Sequence, residues 1–295
     1  MSTAKARVLC LHGYAQNAAF FRARTGALRK GLKSVVGDFH FVDGTVAATA
    51  EYVQSMGEAG GDRGEALGWW SWEDVNDNGY DGGRVRASTS RLYTGVDETL
   101  QRLDEVCDRE GPFDGVLGFS QGATVAALLC MRRPHAFRFA VLISGFVPHD
   151  PRWAAHFQPE VVALPSLHCF GEADRSVPEE RSRLLASSFA SAASVQHVHA
   201  GGHAIPSDAA FRTAAKDFVA AAMAGGGGAG GGAVGGADVK IKEGTGGGGR
   251  TIRTPPPVAP DASSDASGGV APSAEAEAKF ERDYATWRLL ARGAH

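Results

Sequence analysis

The sequence predicts an α/β fold, a mostly parallel central sheet of about six strands with helices on both faces. Two observations predict it. Short apolar runs alternate with helical patterns through the first 223 residues, the rhythm of parallel strands joined by crossover helices. A serine, an acid, a histidine and a glycine-linked loop also follow four of these runs. Such residues belong on the loops at the carboxyl ends of parallel strands.

The elements follow in order. Strands are read near 7–11, 39–42, 114–118, 139–144, 166–170 and 194–198. Helices are read near 18–31, 94–109, 121–132, 179–190 and 208–222. Asn17 suits the N-cap of the first helix. Pro206 and Asp208 suit the start of the last. The long 44–93 segment is expected to form one wall of a pocket, since loops of that length in a compact domain are usually functional or disordered. Its Trp69, Trp70 and Trp72 read either as a hydrophobic plug or as pocket lining.

Composition shifts abruptly after Met223. Residues 224–274 are rich in glycine, proline and serine and read as a disordered linker. At 275–295, "KFERDYATWRLLAR" (279–292) restores helical spacing through Phe280, Tyr284, Trp287 and Ala291. A short amphipathic helix is expected there, docked on its own domain, unfolded, or serving a protein partner.

The bulk numbers exclude several classes. Thirty basic and 33 acidic residues leave a net charge of −3, so no broad basic field points to nucleic acid. The N-terminal apolar run, Val8 to Leu11, is short for a signal peptide. No run approaches the roughly 20 residues needed to span a bilayer. Cys10, Cys107, Cys130 and Cys169 lie in apolar patterns without metal-like spacing. They read as reduced core thiols of a cytoplasmic protein without stable membrane insertion.

The chemistry concentrates at the strand ends. "GFSQG" (118–122) follows a strand and opens a helix, the context a nucleophile elbow requires. Side chains at 118 or 122 would collide with the neighbouring strand and helix. The strained corner would lift Ser120 Oγ above the sheet at a helix N-terminus. A serine hydroxyl needs a base. His203 is the candidate, because Gly201 and Gly202 let its loop swing toward the sheet edge. Metal binding through His197, His199 and His203 is the competing reading, but no acidic or cysteine cluster completes a site. Asp174 is the candidate orienting carboxylate, with Glu172 the alternative. The order Ser120, Asp174, His203 is that of the α/β-hydrolase fold. Oxyanion donors are expected from the backbone N–H groups of Gln121 and, in "HGYAQN" (12–17), Tyr14. His12 is expected to hold that loop rather than titrate. Phe119, Tyr14, Phe146, Ile205, Trp69 and Trp70 are candidate lining of an apolar substrate pocket.

Four motifs, "LCLHGYAQNAAFFRARTGALRKGL", "GVLGFSQGATVAALL", "GEADRSVP" and "GGHAIP", together resemble the FSH family of serine hydrolases over roughly residues 5–222. "WWSWED" and "RLYTGVDETLQRL" resemble its middle segment. "GEAGGDRG" (57–64) looks like an insertion relative to that pattern. The resemblance implies an α/β-hydrolase with little or no cap domain, needing no metal or organic cofactor. It also implies carboxylesterase-type activity with Ser120, Asp174 and His203 as the triad. A small-molecule ester with a medium or long acyl or alkyl chain is the expected substrate. The alternatives are a thioesterase, lysophospholipase or peptidase, or a non-catalytic ligand-binding protein on the same fold.

Overall fold

The computed structural model describes residues 4–55, 64–73 and 92–225. The expected linker beyond residue 225, the helix at 275–295 and positions 57–63 of the glycine-rich loop lie outside the described residues. The strands are β1 (Ala6–Leu11), β2 (Val36–Val42), β3 (Val46–Ala47), β4 (Leu67–Gly68), β5 (Ser71–Glu73), β6 (Leu92–Thr94), β7 (Gly115–Phe119), β8 (Phe139–Ile143), β9 (Ser166–Gly171) and β10 (Ser194–His199). The helices are α1 (Ala18–Arg24), α2 (Gly26–Leu32), α3 (Ala50–Ser55), α4 (Val96–Glu110), α5 (Gln121–Arg132), α6 (Pro151–Ala154), α7 (Glu179–Ser187) and α8 (Ala209–Ala224).

Six strands form one sheet in the order β10-β9-β8-β7-β1-β2, every neighbouring pair parallel. All six were expected from their apolar runs. The edge strand β2 begins earlier than its apolar run, at Val36, because its first half is largely exposed. After β2 the chain returns past β1 to build β7 on the other side. The gap between the ends of β1 and β7 is therefore a topological switch point, the usual binding crevice of such sheets.

Strand alternation splits the core between the two faces. Val8 and Cys10 of β1, with Phe139, Val141 and Ile143 of β8, pack beneath α1, α2 and α8 through Phe21, Leu28 and Phe211. Leu9 and Leu11, with Ala140 and Leu142, face α4 and α5 through Leu100, Leu103 and Val125. Ten residues of α5, Gln121 through Cys130, are buried. That accounts for its nearly all-apolar sequence, since a helix covered on all sides needs no polar stripe.

The expected helix near 18–31 is two helices. Thr25 Oγ1 turns back to the Phe21 carbonyl at 2.8 Å, a local bond that competes with helical continuation. The side chains of Asn17 and Asp208 cap α1 and α8, accepting from the Phe20 and Phe211 amides. Two antiparallel pairs, β3-β4 and β5-β6, organise the described parts of the middle segment. Neither was expected, because two- and three-residue strands carry too little periodicity to detect.

Among the described residues no helix is long and apolar enough to cross a membrane. The four cysteines are free. Burial pushes all four thiols up, Cys107 to about 11, so they are poor nucleophiles near neutral pH.

Candidate active site

Ser120 sits between β7 and α5 with φ 54° and ψ −119°. A non-glycine residue held there is strained, and surrounding structure must hold it. Its amide donates to the Ile143 carbonyl at the end of β8 (2.8 Å), and its carbonyl accepts from the Ala123 and Thr124 amides. The flanking glycines are a steric necessity. A Cβ on Gly118 would lie 2.4 Å from the Gly122 carbonyl oxygen and 2.5 Å from Ala123 Cα. One on Gly122 would lie 2.3 Å from the carbonyl oxygens of both Leu11 and His12. The missing side chains let α5 start against β1, which brings the serine beside the loop after β1.

His203 reaches this corner from the loop after β10. Its Nε2 lies 3.0 Å from Ser120 Oγ, and its Nδ1 lies 2.7 Å from Asp174 Oδ2. Asp174 is held from its other side, where Oδ1 accepts the amides of Ser176 (2.9 Å) and Val177 (2.8 Å). Burial opposes ionisation of this carboxyl. The hydrogen bond and charge of His203, together with the two amides, outweigh it and hold the acid below the usual carboxylate range. An ionised carboxylate only accepts, so Nδ1 carries the proton and Nε2 is left to accept from the serine hydroxyl. Glu172, the alternative acid, is exposed, and its amide is tied to the His199 carbonyl at 2.8 Å. The acid and histidine loops pack without clearance, since a Cβ on Gly171 would lie 2.1 Å from the Gly201 carbonyl oxygen. His199 Nδ1 accepts the Gly201 amide at 3.1 Å, and His197 packs on Phe211.

The loop after β1 closes the site. His12 is fully buried between the Gly13 carbonyl on Nδ1 (2.7 Å) and the Gly44 amide on Nε2 (2.9 Å). Burial lowers its pKa to about 4 despite the opposing Gly13 hydrogen bond and Asp43 charge. It is a neutral structural pin, as expected. The next turn is strained at Ala15, φ 55°. The amides of Tyr14 and Gln121 have no hydrogen-bond acceptor among the described residues, which leaves both able to meet a developing anion.

A cleft of about 240 Å³ opens at Ser120 and His203, lined also by Tyr14, Phe20, Tyr52 and Phe119. Ile205 lines it too, as expected. Trp69, Trp70 and Phe146 do not, and their assignment to the pocket is corrected. Trp69 and Trp70 are fully buried and Phe146 is 1% exposed. Trp70 stacks on Tyr93 and meets Phe146 edge-on. The tryptophan pair is a plug, because residues this large contribute most when wholly removed from water. The middle segment lines the cleft instead through Tyr52 of α3.

Sequence reasoning missed what the plug does. The Trp69 indole donates to the His12 carbonyl at 2.7 Å, and its amide donates to Gln121 Oε1 at 2.8 Å. Its carbonyl accepts from Thr99 Oγ1 at 2.5 Å. Gln121 Nε2 donates to the Trp70 carbonyl at 2.9 Å. The loop of Tyr14 and the helix start of Gln121 are thus bolted to one strap. The available signal was a lone amide side chain at the mouth of an apolar helix.

The model of the serine hydrolase family FSH1 matches residues 1–215. Esterase OVCA2 of zebrafish is 34% identical over 232 residues, covering 74% of this chain and 98% of its own. Its human counterpart is 36% identical over 230 residues, covering 72% and 95%. The carboxylesterase crystal structure from Bacillus cereus superposes with a TM-score of 0.53 at 17% identity, over 75% of this chain and 90% of that one, a likeness of fold. The sheet order, the elbow at its switch point and these matches lead to one conclusion: the chain belongs to the FSH1 family of serine hydrolases and is a hydrolase of the α/β-hydrolase fold.

Proposed function

We propose that this protein is a carboxylesterase working through an acyl-enzyme on Ser120. The observation that carries the reading is the unbroken relay of Asp174 Oδ2, His203 and Ser120 Oγ at 2.7 and 3.0 Å. Ser120 Oγ attacks the ester carbonyl carbon and its proton passes to His203 Nε2. Asp174 holds the imidazole tautomer and stabilises the cation that forms. The amides of Tyr14 and Gln121 receive the tetrahedral oxyanion, in a site already built before charge develops. Collapse breaks the ester C–O bond, and the leaving alkoxide takes the proton from Nε2. Water then repeats the sequence on the acyl-enzyme, releasing the acid and restoring the serine.

The lining of Phe20, Phe119 and Ile205 supports acyl or alkyl chains. A cavity of about 240 Å³ holds roughly eight water-sized groups. We therefore infer medium chains as the best substrates, longer ones running out along the surface. The free thiols support a reducing, cytoplasmic setting. Beyond about residue 223 the sequence turns glycine-, proline- and serine-rich, so truncation there is proposed to leave activity and melting temperature nearly unchanged.

The test uses purified protein and p-nitrophenyl esters of rising chain length, with fluorophosphonate labelling of the serine. Ser120→Ala should abolish both hydrolysis and labelling. Equal turnover by the variant would refute the acyl-enzyme reading.

A further inference from the structure

Arg24 is exposed at the end of α1 and lines the same cleft as Ser120 and His203. Its guanidinium carbon lies 5.9 Å from the centre of the Phe20 ring, four residues earlier on the same helical face. Phe20 also lines the cleft. This contact orients the planar cation without neutralising it. Among the described residues Arg24 has no carboxylate partner, whereas the aspartates that line up with Arg7, Arg133 and Arg152 are engaged in ion pairs. Among the described residues no acidic side chain lines the cleft. The arginine is permanently charged. Beside the polar Gln16, Ser120 and His203 and the aromatic and apolar rest of the described lining, Arg24 supplies the one guanidinium or ammonium group.

Resting on the esterase reading, we propose that Arg24 forms an anion subsite selecting esters whose acyl or alcohol part ends in a carboxylate, such as half-esters of medium dicarboxylic acids. The guanidinium offers paired N–H donors that match a carboxylate edge. A six-carbon diacid chain is compatible with a cavity of about 240 Å³. The aromatic walls would take the methylenes while the terminal charge meets Arg24. A cationic ester would meet repulsion at the same point.

The test compares the mono-p-nitrophenyl ester of adipic acid with p-nitrophenyl hexanoate, which differ in a terminal carboxylate against a methyl. Turnover by Ser120→Ala is subtracted as background. The readout is the ratio of the two kcat/KM values in the full chain and in its Arg24→Gln and Arg24→Glu variants. At low salt the ratio should fall about two- to fivefold in Arg24→Gln and further in Arg24→Glu. It should also fall in the parent protein as salt is raised. A ratio unchanged in both variants, with both esters still turned over, would overturn the subsite alone. If neither ester is hydrolysed and Ser120 is not labelled by fluorophosphonate, the esterase reading fails and the subsite falls with it.

Discussion

The indole N–H of Trp69 donates to the main-chain carbonyl of His12 at 2.7 Å, inside a region closed to solvent. This bond joins a side chain of the middle segment to the loop that carries the Tyr14 amide. The Trp69 amide, bonded to Gln121 Oε1 at 2.8 Å, joins the same residue to the second proposed oxyanion donor. One tryptophan therefore sets the spacing between two backbone groups that are far apart along the chain. Trp69→Phe keeps an aromatic ring but loses part of the indole's volume along with its N–H, which orphans the His12 carbonyl. It should cost about 1–3 kcal/mol of stability. Turnover should drop about tenfold with KM little changed, because the amides matter most once charge has formed. Steady-state kinetics on one ester would check this, and a rise in KM at constant kcat would contradict the positioning role.

The acid should be separable from its neighbour by charge-neutral variants. Asp174→Asn removes the acceptor that keeps the Nδ1 proton in place, and turnover should fall on the order of 10³–10⁴. Glu172→Gln alters an exposed side chain and should leave the rate within about twofold. Matched kcat/KM values decide between them, and the reverse pattern would move the orienting role to Glu172.

The legible and illegible parts of this molecule divide along a physical line. β7 and β8 are buried along their whole length, so their apolar runs announced them. Ser120, Asp174 and His203 sit at strand ends marked by glycine, which identified them as candidates. The strap was opaque because its meaning lies in contacts across 52 and 57 residues, Trp69 to Gln121 and to His12. No local periodicity encodes such contacts. Phe146 was misplaced for the same reason, since an aromatic residue after a strand can face a cleft or a core. Thr124 decides it, accepting the Phe146 amide at 3.2 Å and donating to its carbonyl at 2.7 Å, which holds that stretch inward.

Acid should destabilise the fold before it protonates the carboxylates. Burial lowers His12 to about 4 and His168 to about 3. In the unfolded chain each takes up its proton near the ordinary histidine value, about 6.5. Between that value and the folded one the unfolded state binds more protons, so stability falls as pH drops. The slope is about 1.4 kcal/mol per pH unit for each such histidine. Loss of the Asp174 contribution adds below the ordinary carboxylate range, because its folded pKa is lowered. Urea unfolding between about pH 7 and 4.5 should show this decline, and His168→Gln should make it shallower by about one proton. Equal slopes in the two proteins would mean that His168 is not held neutral.

The close backbone approach at the serine's own corner should tolerate no added carbon. A Cβ on Gly122 would sit 2.3 Å from two carbonyl oxygens of the β1 end, Leu11 and His12. Neither can swing aside as a side chain could. To admit a methyl group, α5 must back away from β1 and carry Ser120 and Gln121 with it. Gly122→Ala should therefore destabilise by about 1–3 kcal/mol or more. Any folded fraction should lose turnover out of proportion, because a shift of about 1 Å at the nucleophile costs on the order of 10² in rate. Gly26→Ala is the control. It adds the same methyl at the start of α2, where nothing lies within 4 Å, and should raise stability by about 0.4–1 kcal/mol. Thermal melts and turnover of the pair distinguish crowding at the elbow from a general intolerance of alanine. Equal behaviour would remove the steric account of why the serine is flanked by glycines.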